Sequence, residues 1–251
     1  MGRVGTLSSP RAAIGGGSGF ASVVSDGHDM QESGMKGKKP TAIAEQLPAV
    51  GRRDWEASYR DGTPPWDIGR PADELVRVLD ESLIAPGRVL ELGCGTGADA
   101  ICLAQRGFEV TAVDSAPTAI ERARIRAEPF GVAVRFVLAD AFKFGPTAGQ
   151  FDLVYEAGFY HFVRQSDLER FLDLLWRITR PGSLYLSLSG SDGETAEGGP
   201  PKVSPDEVRR ELGRLFEIVS VRPCRIESPH RAEGYLGWSC LLRRPQISSH
   251  R

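Results

Sequence analysis

Short apolar runs alternate with longer amphipathic stretches from about Gly51 to the end of the chain. This alternation is typical of parallel strands joined by crossover helices, and it predicts an α/β fold. Seven strands are expected, the last two forming an antiparallel hairpin, although the pattern does not give their order in the sheet. They are RVLELG (88–93), EVTAVD (109–114), VRFVLAD (134–140), FDLVYE (151–156), SLYLSLS (183–189) and runs near 216–221 and 235–242.

Helices are predicted between these strands by apolar spacing and by the residues at their ends. They are DAICLAQRG (99–107), PTAIERARIRAEPFG (117–131), SDLERFLDLLWRITRPG (166–182), which begins at Ser166, and a short helix at 205–212 after the Gly- and Pro-rich loop 190–205. The third helix carries an apolar stripe that we expect to be buried as core, not used for a ligand. Its members are Leu168, Phe171, Leu172, Leu175, Trp176 and Thr179.

Composition narrows the class of protein. The 251 residues include 31 Lys and Arg against 33 Asp and Glu, so there is no positive field to attract nucleic acid. No stretch approaches the roughly 20 apolar residues of a membrane helix. The four cysteines form no C-x-x-C pair, and we expect reduced thiols in a cytoplasmic protein.

The domain organisation predicted from composition is a disordered tail over 1–48 followed by one folded domain over 49–251. The tail is rich in glycine and serine, with too little apolar surface to offset chain entropy. It lacks the apolar core of a secretory signal. Asp26, Asp29 and Glu32 argue against a transit peptide.

The segment ELGCGTG (91–97) lies between the first strand and the first crossover helix. Glycines at 93, 95 and 97 allow a tight turn and close approach of a ligand to free N–H groups at a helix start. Asp114 ends the second strand, where it can accept both hydroxyls of a ribose. An adenosine-like ligand is therefore expected at the carboxyl edge of the sheet. A nicotinamide-dependent oxidoreductase, whose fingerprint has a similar layout, stays open at this point.

With Glu91 before the turn and Asp140 at the end of the third strand, the chain resembles the class I S-adenosylmethionine-dependent methyltransferases from Trp55 to the C-terminus. The segment WEASYRDGTPPWDIGRP (55–71) is similar to the thiopurine, thiol and halide methyltransferase group, in which it folds over the cofactor. The resemblance implies a Rossmann-like, doubly wound, mostly parallel seven-stranded sheet and S-adenosylmethionine as cofactor. The implied contacts are Trp55, Tyr59, Trp66, Gly93, Gly95, Gly97, Asp114, Asp140, Ala141 and Glu156.

These contacts have physical reasons, and for the tryptophans and Asp140 a purely structural role is the alternative. Aromatic faces suit a sulfonium and an adenine ring, and a lid excludes water. The two tryptophans would otherwise pack a helix against the sheet. Asp140 would accept from the adenine amine, or cap a helix, or do both. Glu156 ends the fourth strand, in the switch region where open α/β sheets bind ligands.

The segment GFYHFVRQ (158–165) after the fourth strand is expected to line the acceptor side. Tyr160 and His161 are candidates for a proton acceptor or polar handle, with hydrogen-bonded packing as the alternative for His161. Enzymes that methylate exocyclic amines of DNA bases carry a D/N-P-P-Y/F motif after the fourth strand, and this chain has EAGF (156–159) there instead. No metal-binding group of residues is expected. The resemblance implies methyl transfer to a small-molecule acceptor, with a thiol, halide or other soft nucleophile expected. Oxygen or nitrogen acceptors, and a silent scaffold using loop 190–205, remain alternatives. Oligomeric state is not predicted.

Overall fold

The computed structural model describes residues 54–144 and 150–246, so the predicted tail lies outside the described residues. The helices are α1 (Trp55–Arg60), α2 (Asp73–Asp80), α3 (Ala98–Gln105), α4 (Pro117–Ala127), α5 (Phe159–Ile178) and α6 (Pro205–Leu212). The strands are β1 (Arg88–Leu92), β2 (Glu109–Asp114), β3 (Val134–Leu138), β4 (Phe151–Ala157), β5 (Thr179–Ser191), β6 (Lys202–Val203), β7 (Glu217–Ser228) and β8 (Arg231–Arg243). Short 3-10 turns follow α4 and β3, at Glu128–Phe130 and Ala141–Lys143.

The strands form one sheet in the order β3-β2-β1-β4-β5-β8-β7, with β6 beside β5. Strands β1 to β6 pair in parallel, whereas β8 runs antiparallel to both β5 and β7. The predicted α/β class, the mostly parallel sheet and the C-terminal hairpin are confirmed. The described sheet has eight strands where seven were predicted, because two residues of β6 are too few to show an alternating pattern.

The order of the strands creates a crevice at one edge of the sheet. From β1 the chain crosses outward to β2 and β3, and it then returns to place β4 on the other side of β1. Connections leave the carboxyl ends of β1 and β4 in opposite directions, and ligands of open α/β sheets bind at such a point. Both the glycine turn and the predicted acceptor segment begin there.

Alternation along the strands fills an apolar layer on each face of the sheet. Val89 packs in the cluster that includes α2 and α3, while Leu90 and Leu92 pack in the cluster that includes α5 and α6. All three side chains are fully buried. Helices thus cover both faces, as expected for parallel strands.

Helix α5 begins earlier than predicted, so the predicted acceptor segment 158–165 forms its first turns. Gly158 has a φ of 94°, and Phe159 already starts the helix. The predicted start at Ser166 coincides with a break, because the next residue, Asp167, has non-helical angles of φ −137° and ψ 33°. The helix ends at Ile178, so β5 begins four residues before the predicted start at 183.

One member of the predicted buried stripe is wrong. Trp176 is 53% exposed, and the Arg244 guanidinium carbon lies 3.6 Å from its ring centroid. The buried face of α5 centres on Phe171, Leu174 and Ile178, and residue 176 falls beyond its edge. The tryptophan therefore packs against an arginine side chain at the rim.

Two further findings concern the described residues as a whole. Within 54–144 and 150–246, no helix is long and apolar enough to cross a bilayer. The four cysteines, at 94, 102, 224 and 240, are free thiols.

Candidate active site

A glycine turn joins β1 to α3. Gly93, Gly95 and Gly97 have positive φ angles of 70°, 51° and 79°, a region that residues with a Cβ rarely adopt. The N–H groups of Gly93 and Cys94 both donate to the Val113 carbonyl, at 2.8 and 3.0 Å. The turn is thereby fastened to the end of β2, and its path requires glycine.

Two of these glycines also permit close packing. A Cβ on Gly97 would come within 2.8 Å of the Phe136 ring and 2.9 Å of the Ala123 methyl carbon. A Cβ on Gly95 would lie 2.7 Å from the Tyr59 hydroxyl. Gly97 lets β3 and α4 approach the turn, whereas Gly95 lets the segment before the sheet approach it.

Asp114, at the end of β2, holds the turn in place. Its Oδ2 accepts from the Gly95 N–H at 2.8 Å, and its Oδ1 accepts from the Ala116 N–H at 2.9 Å. Burial raises the pKa of Asp114, while these two hydrogen bonds act in the opposite direction. Each carboxylate oxygen can accept a further hydrogen bond, so Asp114 supports the turn and still has acceptor capacity for a ligand.

Three aromatic residues, Trp55, Tyr59 and Trp66, form what we call the aromatic lid. The Trp66 indole N–H donates to the buried Tyr59 hydroxyl at 2.9 Å. Trp55 meets Trp66 edge-on at 5.5 Å between ring centroids, and it meets Phe162 of α5 at 5.0 Å. Burial and the negative charge of Asp114 raise the pKa of the Tyr59 phenol. The lid residues are thus brought together beside the glycine turn.

Polar contacts fasten the lid segment to the domain. Glu56 accepts from the Thr118 N–H at 3.0 Å and from its hydroxyl at 2.5 Å, which joins α1 to the start of α4. Asp67 accepts from the Thr96 hydroxyl in the glycine turn at 2.9 Å, and Arg126 lies 3.6 Å from the same carboxylate. The lid is anchored at two points, next to Trp55 and next to Trp66.

Two buried carboxyl oxygens in the described residues have no hydrogen-bond partner. They are Glu91 Oε2, on β1 just before the turn, and Asp140 Oδ2, after β3. Burial, with the nearby charges of Asp99 and Asp114, raises the pKa of Glu91 well above its ordinary value. An acceptor that is buried without a partner is costly. Both oxygens are therefore suited to receive donors from a ligand.

Asp140 caps the short turn after β3, as one of its two predicted roles requires. Oδ1 accepts from the Phe142 N–H at 3.0 Å and caps the short turn, while Oδ2 is left over. Ala141 is buried beside it. Contact of these two residues with an adenine ring stays a prediction.

Glu156 is hydrogen-bonded on both carboxylate oxygens to groups of the protein itself. Its side chain is fully buried; Oε2 accepts from the N–H groups of Phe159 and Tyr160 at 2.6 and 3.1 Å, and Oε1 accepts from the Tyr185 hydroxyl at 3.0 Å. The carboxyl group thus caps the start of α5. This arrangement gives no support to the predicted cofactor contact.

Tyr160 is likewise enclosed. Its side chain is fully buried, and its hydroxyl donates to Glu211 Oε2 at 2.8 Å. Arg164 binds the same Glu211 oxygen through Nε at 2.8 Å. Burial and the bond to Glu211 raise the pKa of Tyr160. The residue ties α5 to α6, and the predicted role as proton acceptor finds no support here.

We therefore expect Tyr160→Phe to leave methyl transfer within about twofold of the parent. It should lower the free energy of unfolding by about 1.5–3 kcal/mol, the value of a hydrogen bond to a charged group. Urea unfolding and initial rates measure the two quantities. Tyr235→Phe, in the β7–β8 hairpin, is the matched control and should change neither. A large loss of rate with unchanged stability would return Tyr160 to the mechanism.

His161 lies one residue further along α5 and is 3% exposed. Its Nδ1 accepts from the Gly190 N–H at 3.2 Å, at the end of β5. Its ring is 4.9 Å from that of Phe162, which in turn meets Trp55 of the lid. Of the two predicted acceptor-side candidates, His161 is the one whose ring contacts a residue that touches the lid.

The sequence prediction did not include several residues that build this site. Glu56, Asp67 and Thr96 fasten the lid, and Phe162 supports Trp55. Asp67 stands within the PWDIG segment that was singled out, so a signal for it existed. Glu56 and Phe162 also lie in segments that were singled out, but their contacts were not predictable because their partners, Thr118 and Trp55, are distant in sequence.

Comparisons with known proteins agree with this geometry. A family profile described as a methyltransferase domain matches residues 89–182. The 2-heptyl-1-hydroxyquinolin-4(1H)-one methyltransferase of Mycobacteroides abscessus is 30% identical over 201 residues, covering 79% of this chain and 81% of that protein. The probable thiol methyltransferase 2 of Arabidopsis thaliana is 29% identical over 170 residues, covering 66% and 75%. A structure solved for the conversion of a disulfide bond into a thioacetal group during echinomycin biosynthesis matches with a TM-score of 0.66 and 30% identity, covering 77% and 91%.

The chain belongs to the class I S-adenosylmethionine-dependent methyltransferases. It is an enzyme that methylates small molecules with S-adenosylmethionine as the methyl donor. This membership decides against the nicotinamide-dependent oxidoreductase.

The residues present fit this cofactor. S-adenosylmethionine offers an ammonium group, a ribose diol and an adenine amine, all of which donate hydrogen bonds. The site provides two unpartnered carboxyl oxygens and a glycine turn that a Cβ would obstruct. Among the described residues, no group of three or more His, Cys, Asp and Glu side chains could hold a metal ion.

Proposed function

We propose that this methyltransferase acts on a small acceptor with a soft nucleophilic atom, a thiol or a halide-like anion such as thiocyanate. The observation that carries the proposal is that the carboxylate at the end of β4 and the phenol at the start of α5, Glu156 and Tyr160, are both already hydrogen-bonded within the protein. Glu156 is enclosed and bonded to three donors, and the Tyr160 hydroxyl is bonded to Glu211. A soft nucleophile needs no base, because a halide has no proton to lose and a thiol with a pKa of about 8.5 is already partly ionised at neutral pH.

The cofactor side of the proposal assigns three carboxyl groups. Asp114 accepts from the ribose hydroxyls while keeping its bonds to the turn. The unpartnered Oδ2 of Asp140 accepts from the adenine amine, with Ala141 beside it. The unpartnered Oε2 of Glu91 accepts from the ammonium group, and a cation arriving there would return the raised pKa of Glu91 toward its ordinary value.

The aromatic lid covers the remaining side of the site in this proposal. When bound, S-adenosylmethionine supplies its methyl group: the acceptor lone pair bonds to the methyl carbon as the carbon–sulfur bond breaks with its electrons on sulfur. Trp55, Tyr59 and Trp66 would present aromatic faces to the cation and keep water out. The anchors at Glu56 and Asp67 would hold the lid in position for this purpose.

Two relatives support a sulfur acceptor. One is named as a probable thiol methyltransferase, and one structure concerns the conversion of a disulfide bond into a thioacetal group. The quinolone methyltransferase acts on a compound that carries a hydroxyl group, which favours an acidic hydroxyl as the second candidate acceptor. Both kinds of acceptor can be offered in one experiment.

The test is an acceptor screen with methyl-labelled S-adenosylmethionine at pH 7.5. The panel holds alkyl and aromatic thiols, thiocyanate, iodide, phenols, N-hydroxy heteroaromatics and primary amines, with headspace and solution products counted separately. We expect kcat/KM for the best sulfur acceptor to exceed that for the best amine by at least about 100-fold. At this pH a primary amine is almost entirely in its protonated form, which has no lone pair to attack the methyl group. Asp114→Asn protein serves as the matched control for cofactor-dependent product.

The proposal fails if phenols, N-hydroxy compounds or amines are methylated faster than every thiol and anion in the panel. Binding of S-adenosylhomocysteine without product from any acceptor would instead favour the silent scaffold.

A further inference from the structure

The His161 ring has a fixed direction of hydrogen bonding. Its Nδ1 accepts from the Gly190 N–H at 3.2 Å, so Nδ1 carries no proton. A neutral imidazole has one donor and one acceptor nitrogen, and the proton therefore lies on Nε2. In this arrangement His161 is a donor toward any further partner.

The surroundings keep the ring in that form. Burial lowers the pKa of His161 to about 3, because the charged ring would lose its hydration. Charged side chains on the neighbouring elements bond elsewhere: Glu156 of β4 caps α5, Arg164 of α5 pairs with Glu211, and Asp192 after β5 accepts from Trp238. The imidazole is therefore neutral between pH 6 and 9.

The Nε2 side of the ring lies where acceptors are expected. A Cβ on Gly158, at the end of β4, would be 3.4 Å from both Nε2 and Cε1, while Nδ1 is held at the end of the adjacent β5. The ring also adjoins Phe162, which contacts Trp55 of the lid. Nε2 has no hydrogen-bond partner among the residues that the structure describes. The ring thus presents a donor without a protein partner beside Gly158, at the end of β4.

We propose that His161 binds the acceptor as a permanent N–H donor, so that the enzyme takes acceptors whose nucleophilic atom is anionic before it binds. This inference rests on the proposed function, and it adds the chemical class that the acceptor side selects. The acceptor's proton goes to water before binding, and no proton passes to the protein during methyl transfer. His161 is then a residue that positions an anion, not a base.

Three substitutions separate donation from base catalysis. His161→Gln places an amide N–H near the position of Nε2. His161→Asn keeps an oxygen for the Gly190 N–H but is too short to donate at the Nε2 position. His161→Phe removes both functions while keeping a ring. Each variant is assayed with an aromatic thiol that is ionised from pH 6 to 9, with thiocyanate, and with an alkyl thiol.

We expect His161→Asn and His161→Phe to lose at least about tenfold in kcat/KM on the ionised thiol and on thiocyanate, the effect of a hydrogen bond to a charged group. His161→Gln should stay within about threefold of the parent. The parent should give a flat pH profile with the ionised thiol and a rate that rises with ionisation of the alkyl thiol. S-adenosylhomocysteine affinity and melting temperature are measured on every variant, and the Gln and Asn pair decides the question if the Phe variant does not fold.

A base role predicts the opposite pattern: thiocyanate, which has no proton, would be unaffected, while the alkyl thiol would slow in all three variants. That result, or equal losses in the Gln and Phe variants, overturns the inference while leaving the proposed function standing. A parent enzyme that methylates none of the sulfur or halide acceptors overturns the proposed function itself.

Discussion

Replacing Gly97 by alanine is expected to lower the free energy of unfolding by roughly 3 kcal/mol. Part of this loss is backbone strain, since Gly97 has a φ of 79° and a Cβ costs about 1–2 kcal/mol in that region. The rest is overpacking, typically about 1–3 kcal/mol, because the new methyl would come within 2.8 Å of Phe136 and 2.9 Å of Ala123. Urea unfolding followed by tryptophan fluorescence measures the loss.

Gly131 provides the matched control for this change. It also has a positive φ, of 62°, but no atom lies within 4 Å of the position that a Cβ would take. Gly131→Ala should therefore cost only the strain, about 1 kcal/mol. Equal losses at the two positions would show that close packing around the glycine turn contributes nothing, contrary to the structure.

Asp114→Asn is expected to weaken S-adenosylhomocysteine binding by about 30-fold or more. Asparagine has one acceptor oxygen where aspartate has two, so its amide nitrogen would face either the Gly95 or the Ala116 N–H. The turn would shift, and the acceptor for the ribose would weaken as well. A loss of about 2 kcal/mol, typical of a charged hydrogen bond, corresponds to that factor. Isothermal titration calorimetry gives the dissociation constant directly.

The control for Asp114 is Glu109→Gln, a neutralised carboxylate at the other end of β2. The Glu109 side chain is 77% exposed and lies 3.7 Å from Arg88, so its removal should change binding by less than twofold. If Asp114→Asn bound as tightly as the control, the carboxylate would be a support for the turn alone. The proposed hydrogen bond between Asp114 and the ribose would then be wrong.

The carboxyl groups around the crevice divide into two kinds. Glu156 is bonded to donors from its own chain on both oxygens, which fits a role in fixing the start of α5. Glu91 and Asp140 each keep a buried oxygen without a partner. Because leaving such an atom unpaired is costly, we propose that a ligand donates hydrogen bonds to these two residues. This distinction guides mutagenesis better than position at a strand end does.

The aromatic residues of the lid are also fixed by contacts with other parts of the chain. Tyr59 is held by Trp66 and reaches the turn at Gly95, where only a glycine leaves room for its hydroxyl. Trp55 contacts Phe162 of α5, so the lid extends from the glycine turn to the start of α5. A substitution of Phe162 is therefore expected to disturb both Trp55 of the lid and His161 of α5.

The amino-acid sequence by itself determined the alternation of strands and helices, the glycine turn, Asp114 at its strand end and the aromatic segment before the sheet. These features are local: a turn with positive φ angles requires glycine, and alternating apolar residues require a half-buried strand whatever the rest of the chain does. Only the tertiary structure decided the chemistry of individual side chains. The side chains of Glu156, Tyr160 and His161 are each hydrogen-bonded to a distant residue. Their partners Tyr185, Glu211 and Gly190 are 29, 51 and 29 residues away. Burial and hydrogen bonding set which polar atoms remain available, and both depend on contacts between residues that are distant along the chain.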